Sequence, residues 1–348
     1  MAVSATYLHD GVRSPGSRSV SRTSHMPVAV FPMAIPTPFR IGTVNAYLVD
    51  DDPLTLIDTG PNWPASLRAL EQSIEKLGHR VDDIGLVLLT HQHNDHVGLA
   101  GIVKERSGAQ VSALEHVAEH LRVYEESMVA EEEFARAVME RYGIRGEDIA
   151  TISKQSRARR QYGGAVEVDR SLRPGDRIEL DRCRMDVIWR PGHSPGDTVF
   201  ALEDRTAIVG DHVLKRISSN PVIHRPLSHS RDPADRDPAL VMYIESLERT
   251  LEDGFSELMG GHGGTVTEPA ALIEERLGHH GIRKDKILEL VRDGKRHAGQ
   301  LIAGLWGDLD DSQIWLALSE VLGHTDLLVA AGLLVETERN GVTSFEVL

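Results

Sequence analysis

The feature that most constrains this chain is a run of metal-binding side chains placed directly after a short apolar segment. Residues 84–89 are apolar and lead into Thr90-His91-Gln92-His93-Asn94-Asp95-His96. Three histidines and an aspartate suit a hydrophobic core poorly, because buried polar groups are costly unless they find partners. Imidazole nitrogen and carboxylate oxygen are, however, ligands that zinc and similar dications prefer. The sequence therefore predicts a strand that ends in a metal-binding loop.

Three further candidate ligands lie downstream, each after a predicted strand. His193 follows Gly192, Asp211 follows Gly210, and His262 follows Gly261. Glycine allows the backbone to approach a ligand closely, and loops at strand ends often carry functional residues. A surface histidine cluster without a function is the alternative interpretation of the first group, and the downstream residues make it less favoured.

Together these residues resemble the metallo-β-lactamase-fold hydrolases. The segment Leu56-Ile57-Asp58-Thr59-Gly60 also matches the early Asp-x-Gly turn of that family. The resemblance runs through residues 31–268 and fills all seven ligand positions. It implies an α/β fold, an αββα sandwich with the metals at one edge. One metal would be held by His91, His93 and His193, the second by Asp95, His96 and His262, with Asp211 bridging them and Asp58 orienting the ligand loop.

The chemistry that such a site supports is hydrolysis. Two divalent metals would share a water, lower its pKa toward about 7, and stabilise the oxyanion that forms on a carbonyl or phosphoryl group. Asp95 would accept a hydrogen bond from the attacking oxygen, so Asp95 and the bridging Asp211 are the predicted catalytic residues. Zinc is the expected metal, with iron or manganese as alternatives.

One departure narrows the subgroup. True β-lactamases of this family typically carry cysteine where this chain has Asp211, or lack the bridging carboxylate. The single cysteine, Cys183, lies in the segment Ile178–Trp189, which alternates like one strand. Asp211 is similar instead to the glyoxalase II, lactonase and ribonuclease Z branches.

Substrate contacts are predicted from cations near the ligands. Residues 115–163 form a helical insertion where a lid would lie, and its Arg157, Arg159 and Arg160 would either clasp an anionic substrate or form a solvated helix end. Lys215 and Arg216 follow Asp211 and would serve either an anionic substrate or solubility. His212 is expected beside the ligands or in packing.

We therefore expect a binuclear hydrolase of an activated acyl bond, foremost a thioester on a small anionic carrier similar to coenzyme A or glutathione. Lactone or ester hydrolysis is the first alternative, followed by RNA phosphodiester cleavage and by a mono-iron sulfur dioxygenase. A regulator that has lost the chemistry is a further alternative, but degenerate relatives generally lose ligands and this chain retains all seven.

The C-terminal residues 269–348 predict several helices and then a hairpin at Asn340-Gly341, which resembles a winged helix. They contain eight lysines and arginines against thirteen acids, and none of these cations lies between His297 and Glu338. Nucleic-acid binding is therefore not expected, because phosphate contacts need cations. We expect this region to pack against the catalytic domain or a second subunit of a homodimer.

Composition sets the remaining expectations. The 348 residues carry a net charge of −15, are 41% hydrophobic and include one cysteine, which suits a reducing cytoplasm. The sequence contains no apolar run of about 18 residues, so no membrane span is expected. Residues 1–30 are expected to be a flexible tail, with a transit peptide or a vector-derived leader as alternatives.

Overall fold

The computed structural model describes residues 28–348, so the predicted N-terminal tail lies almost wholly outside the described residues. Two sheets form its centre. The first contains β1 Val30–Pro36, β2 Thr43–Val49, β3 Thr55–Ile57, β4 Leu86–Leu89, β5 Gln110–Leu114 and β6 Arg170–Leu172 in that order. The second contains β7 Arg177–Glu179, β8 Arg184–Trp189, β9 Thr198–Leu202, β10 Thr206–Gly210 and β11 Glu257–Gly260, ordered β11-β10-β9-β8-β7.

Strand direction changes within each sheet. In the first sheet β1, β2 and β3 are antiparallel neighbours, whereas β3 to β6 are parallel. In the second sheet β7 to β10 are antiparallel, and β11 adds parallel to β10. Parallel neighbours end at the same edge of a sheet, so the loops after β3, β4, β10 and β11 can converge.

Within residues 28–348, ten α-helices surround the sheets or follow them. They are α1 Pro64–Lys76, α2 Asn94–Val97, α3 Ala100–Ser107, α4 Glu115–Arg122, α5 Tyr124–Arg141, α6 Gly146–Arg159, α7 Ala239–Asp253, α8 Pro269–Arg292, α9 Ala298–Trp306 and α10 Asp311–Ala330. Short 3-10 turns cover Val81–Asp83, Arg160–Tyr162 and Pro233–Asp235, and the hairpin β12 Leu334–Arg339 and β13 Val342–Val347 ends the chain. No helix of the described residues is long and apolar enough to cross a membrane.

Alternation of buried residues builds the layers of the sandwich. On one face of the first sheet, Leu56 and Val87 pack with Leu70 of α1. The other face packs against the second sheet, whose far face is covered by α7 and by the start of α8. The predicted αββα sandwich is therefore confirmed, because each sheet buries one face on helices and one on the other sheet.

The predicted helical insertion and the C-terminal region share one hydrophobic core. Val138 of α5 and Ile149 of α6 are buried with Ile287 of α8, Leu318 of α10 and Phe345 of β13. We call the part of the molecule that forms this core, from α5, α6, α8, α9, α10 and the hairpin, the helical cap. The C-terminal residues 269–348 thus pack against the helical insertion of the same subunit.

Several element boundaries differ from the sequence prediction. The helical insertion predicted over 115–163 is interrupted at Val123, between α4 and α5. The strand predicted over 178–189 is divided by a turn in which the backbone nitrogen of Leu180 donates to the carbonyl of Cys183. The short helices predicted after residue 269 merge into the long α8 and α10. Gly323 lies inside α10 without interrupting it. A Cβ at that position would lie 2.6 Å from Leu240 of α7, so the close packing of α10 on α7 requires glycine.

Candidate metal centre

The seven predicted ligands meet at one edge of the sandwich. His91 and His93 follow β4, and α2 continues directly with Asp95 and His96. The loops after β8, β10 and β11 supply the remaining three, His193, Asp211 and His262. Their ligand atoms form three groups, each within 4.8 Å: His91, His93 and His193; His91, His96 and Asp211; Asp95, His96 and His262.

Three imidazole nitrogens form the first group. Nδ1 of His93 lies 3.0 Å from Nε2 of His91 and 3.0 Å from Nε2 of His193. In a tetrahedral zinc site, metal–nitrogen bonds of about 2.0–2.1 Å place neighbouring nitrogens roughly 3.3 Å apart. The three nitrogens therefore lie at a spacing that a metal ion can occupy with small adjustment.

Asp211 lies between the first group, His91, His93 and His193, and the second pair of histidines, His96 and His262. Its Oδ1 is 3.4 Å from Nε2 of His96, and its Oδ2 is 3.6 Å from Nε2 of His193 and 3.4 Å from Nε2 of His262. Asp95 closes the second group, with Oδ2 3.4 Å from Nε2 of His262. A carboxylate whose two oxygens face both groups is suited to bridge two cations.

Hydrogen bonds on the outer nitrogens fix the orientation of the rings. Nδ1 of His193 lies 3.0 Å from the carbonyl of Asn220, and Nδ1 of His262 lies 2.7 Å from that of Thr43. Carbonyls only accept, so each Nδ1 carries a proton. Nδ1 of His96 likewise donates to Asp58, at 2.7 Å. The Nε2 atoms are thereby directed into the site, as in metal-binding histidines held by outer partners.

Asp58 organises the ligand loop without entering it. Its carboxylate accepts from the backbone nitrogen of Thr90 at 2.9 Å and from the Thr90 hydroxyl at 2.7 Å. Because that hydroxyl donates to Asp58, its oxygen is free to accept from Nδ1 of His91, 3.0 Å away. Asp58 has a φ of 57°, an uncommon value for a residue other than glycine. The geometry agrees with the orienting role expected for Asp58.

The unsatisfied atoms at the centre fit a metal. Nε2 of His96, Nε2 of His262 and Oδ1 of Asp211 are buried and have no hydrogen-bond partner among the described residues. Such orphan atoms are rare in proteins and call for a specific explanation. A Cβ on Gly261 would lie 2.2 Å from Asp211 Oδ1, so only glycine permits the loop to approach here. The residues present therefore suit bound cations.

Protonation also suits metal binding. Burial and the neighbouring histidines lower the pKa of His91 and His93 well below the usual value, so both are neutral ligands at pH 7. Burial also lowers the pKa of His262, but the charges of Asp211 and Asp95 outweigh it and raise that pKa to about 10. A metal must displace this proton, so metal binding should release protons.

The predicted cationic contacts are placed differently. Arg157 and Arg160 both pair with Glu132, and the Arg159 guanidinium lies 6.0 Å from the ring centre of Phe39. Lys215 is exposed and donates to the carbonyl of Thr265 at 2.8 Å, and Arg216 is exposed. The arginines of α6 are therefore engaged within the protein, which favours the helix-end interpretation over the clasp.

His212 is a packing residue. It is fully buried, its Nε2 lies 2.8 Å from the Thr250 hydroxyl, and its carbonyl accepts from Tyr243 at 2.9 Å. Burial lowers the pKa of His212 to about 3, so the ring is neutral. It anchors the segment after Asp211 to α7.

Other residues of the site were not identified from the sequence. Asn45 donates to the carbonyls of Gly260 at 2.8 Å and Gly263 at 2.9 Å, and Tyr47 donates to Gly260 at 2.7 Å, so β2 holds the His262 loop. Two polar side chains in an otherwise apolar strand were the available signal.

His224 is a second unpredicted neighbour of the ligands. Its Nε2 is 3.3 Å from Nε2 of His93, and its Nδ1 is 3.8 Å from the carboxylate of Glu131 on α5. No motif surrounds His224, so only the folded chain reveals that it meets His93.

A cavity of about 220 Å³ adjoins the ligand loop. Gln92 and Pro195, each beside predicted ligands, form part of its wall, and α4 and α5 form another part. The loop that contains Arg225 and Arg231 lines the rest of this open cavity. The insertion therefore borders the site, as expected of a lid.

Comparison with known proteins agrees with this geometry. Residues 40–262 match the family model of the metallo-beta-lactamase superfamily. The Bacillus subtilis protein named "Probable metallo-hydrolase YqjP" is 28% identical over 305 residues, which cover 86% of this chain and 92% of that protein. The metallo-beta-lactamase family protein TTHA1429 of Thermus thermophilus is 26% identical with a TM-score of 0.73, covering 92% of this chain and 98% of its own. A beta-lactamase domain protein of Burkholderia ambifaria is 25% identical with a TM-score of 0.76, covering 92% of each chain.

Proposed function

Because this chain belongs to the metallo-beta-lactamase superfamily and is a metal-dependent hydrolase of that family, we propose that it binds two zinc ions and hydrolyses thioesters of a small anionic carrier. The observation that carries the binuclear part is the position of Asp211. Its carboxylate oxygens lie 3.6 Å from Nε2 of His193, which belongs to the first ligand set, and 3.4 Å from Nε2 of His96 and His262, which belong to the second. One carboxylate can therefore serve two ions at once.

The ligand residues would form two sets, one for each ion. His91, His93 and His193 would hold one ion, and Asp95, His96 and His262 the other. When bound, the ions polarise the carbonyl under attack and activate water at neutral pH. Asp95 is only partly buried and lies beside His262. Its carboxylate can therefore accept a hydrogen bond from the attacking water and orient that water. Asp58 and Thr90 hold the first ligands in place through the hydrogen bonds described above.

The adjoining cavity supports an acyl substrate of modest size. Val123, Ala130 and Leu227 give its wall an apolar part, and a volume of about 220 Å³ accommodates a short acyl chain. Arg225 supplies a cation at the same wall. Among the described residues no carboxylate lies within 4.0 Å of its guanidinium, which contacts instead the His229 ring.

Arg225 thus replaces the α6 arginines as the group that would bind an anionic carrier. Three acids also line the cavity, and two of them are engaged: Glu119 lies 3.4 Å from His229, and Glu131 accepts from the backbone nitrogen of Arg225. The guanidinium of Arg225 is left to face a phosphate or carboxylate of the substrate, which it can bind with two hydrogen bonds.

Lactone hydrolysis is the second candidate. The apolar part of the same cavity favours it, because a lactone needs the metals and an apolar pocket but no cation. The two proposals differ in the importance of Arg225.

The test is a hydrolysis panel on zinc-loaded protein, with acyl thioesters of coenzyme A and glutathione, lactones, phosphodiesters and single-stranded RNA. We expect thioesters to be cleaved by the wild type and not by Asp211→Ala. Arg225→Ala should raise KM for the coenzyme A thioester at least about tenfold with little change in kcat, as expected when uniform binding is lost.

Arg231→Ala is the matched control, because Arg231 lies at the same cavity but is exposed and 3.9 Å from Glu133. Cleavage of lactones alone, unaffected by Arg225→Ala, would favour the second candidate. A single bound iron without hydrolysis would exclude the binuclear zinc mechanism.

A further inference from the structure

A second cluster of metal-ligating side chains lies in the helical cap. His280 is on α8, and Glu320 and His324 lie one turn apart on α10, so both face α8. Their ligand atoms lie within 4.8 Å of one another. Tyr243 separates this cluster from the metal centre, with its ring centre 5.8 Å from that of His212 and 6.0 Å from that of His280. The cluster is therefore independent of the seven ligands.

The two histidines do not satisfy each other. Nδ1 of His324 lies 2.7 Å from the carbonyl of Glu320 and must donate to it, so Nε2 of His324 carries a lone pair. That lone pair faces Nδ1 of His280 at 3.4 Å. If Nδ1 of His280 is protonated, its hydrogen bond to His324 is long, and Nε2 of His280 is buried without a partner among the described residues. If Nδ1 of His280 is not protonated, two nitrogen lone pairs face each other.

Glu320 is also without a suitable partner. Its side chain is 19% exposed, and within the described chain its carboxylate accepts no hydrogen bond and lies near one basic group only, Nδ1 of His324 at 3.8 Å. Burial raises the pKa of this carboxyl, because no neighbouring cation compensates its charge fully. The Arg283 guanidinium lowers the pKa of Glu320 in part, but it is held over the Trp306 ring, 4.9 Å from its centre.

We propose that His280, Glu320 and His324 form a third metal site, which binds a divalent transition metal of the zinc class. A cation accepts the facing nitrogen lone pairs and the carboxylate together, which removes the conflict between the two lone pairs and compensates the charge of Glu320. The 3.4 Å separation of the nitrogens matches the roughly 3.3 Å expected around a tetrahedral zinc ion. Two histidines and one carboxylate are a known zinc ligand set, completed by water.

Access and protonation agree with this assignment. A cavity of about 340 Å³, lined by His280, Glu320, Arg283 and Ser218, reaches the cluster from the surface and leaves room for the water ligand. Burial lowers the pKa of both His280 and His324 to about 4, so both rings are neutral at pH 7 and ready to bind metal. The ion would tie α8 to α10 within the helical cap.

The experiment uses the full-length protein equilibrated with zinc alone. Zinc per chain is measured by elemental analysis for the wild type, Glu320→Gln, His280→Asn and the control His279→Asn. His279 is the exposed histidine next to His280 and lines the same cavity. We expect Glu320→Gln and His280→Asn to lose one zinc that the wild type and His279→Asn retain, while hydrolytic activity is unchanged.

A second readout keeps the result independent of activity. Cobalt(II) added to the wild type should give one more component in the absorption band of tetrahedral cobalt than it gives in Glu320→Gln. Zinc should also raise the melting temperature of Glu320→Gln less than that of the wild type. Glu320 is partly exposed, so Glu320→Gln remains informative if His280→Asn does not fold. Equal zinc content in all four proteins would overturn the proposal.

Discussion

At the candidate metal centre, buried polar side chains converge on points where no atom of the described chain forms hydrogen bonds with them. In most of the helical cap, the buried side chains are apolar and pack against one another. Asp211, His96 and His262 keep unpaired buried atoms, whereas Val138, Leu318 and Phe345 fill a continuous core. Unpaired polar atoms cost stability and packed apolar atoms supply it. Changes at the first region should therefore alter activity and metal binding, and changes at the second should alter folding.

The largest expected effect is the loss of activity on replacing Asp211. Asp211→Ala removes the one carboxylate of residues 28–348 that faces both sets of ligand histidines, so we expect kcat/KM to fall at least about a thousandfold, roughly 4 kcal/mol. Circular dichroism should still show a folded protein, because Oδ1 of Asp211 has no hydrogen-bond partner among the described residues and the packed cores of the molecule are left intact. Asp186→Ala, at an exposed site on β8, is the control. Retention of more than a tenth of the activity would contradict the bridging role.

The opposite result is expected in the helical cap. Phe345 is fully buried and stacks on Tyr142 with ring centres 6.1 Å apart. Phe345→Ala should lower the free energy of unfolding by about 3–5 kcal/mol, measured by urea denaturation, because it leaves a cavity. Val347→Ala, on the same strand and 41% exposed, should change it little. A folded Phe345→Ala that had lost the zinc bound by the seven ligands, and with it the activity, would break the separation of the two regions.

A smaller effect is expected from Asp58. Asp58→Asn keeps the shape but replaces one oxygen by an amide that cannot accept from Thr90 or His96. We expect zinc affinity to fall about 10–100-fold, as is typical when the partner of a metal ligand is lost, with little change in unfolding. Titration against a zinc indicator measures it, with exposed Asp181→Asn as the control. Unchanged affinity would show that the ligands hold their own orientation.

The smallest effect concerns pH and the histidines of the cap. Burial lowers the folded pKa of His324 to about 4, below the unfolded value of about 6.5. Stability from the neutral ring is therefore complete above pH 6.5 and is lost as the pH falls toward 4. In metal-depleted protein, lowering the pH from 7.5 to 5.5 should cost about 1 kcal/mol through this residue.

Urea midpoints at the two pH values measure this cost, and His324→Gln should show a smaller pH dependence than the wild type. An equal dependence in both proteins would mean that other groups dominate acid destabilisation in this region.

The two regions also differ in how much their sequences revealed. The ligands could be predicted because each pairs an unusual residue type with a strand end: three histidines after Leu89, and His193, Asp211 and His262 beside glycines. Element boundaries in the cap, in the segment that leads into it and in the second sheet were predicted less well. The division of the long segments at Val123 and near Cys183, and the merging of helices through Gly323, follow from neighbours distant in sequence, which local periodicity does not contain.

The sequence by itself identified seven candidate ligand residues, because residue type and local order suffice to specify donor atoms and strand ends. Through its family resemblance it also predicted the αββα fold and the chemistry of a metallo-hydrolase. Only the tertiary structure decided which side chains surround them. It engaged Arg157 and Arg160 with Glu132, brought His224 to His93, and joined His280 to the α10 cluster. Such contacts depend on the relative placement of whole elements, since side chains far apart in the chain meet only when the core has set their distance.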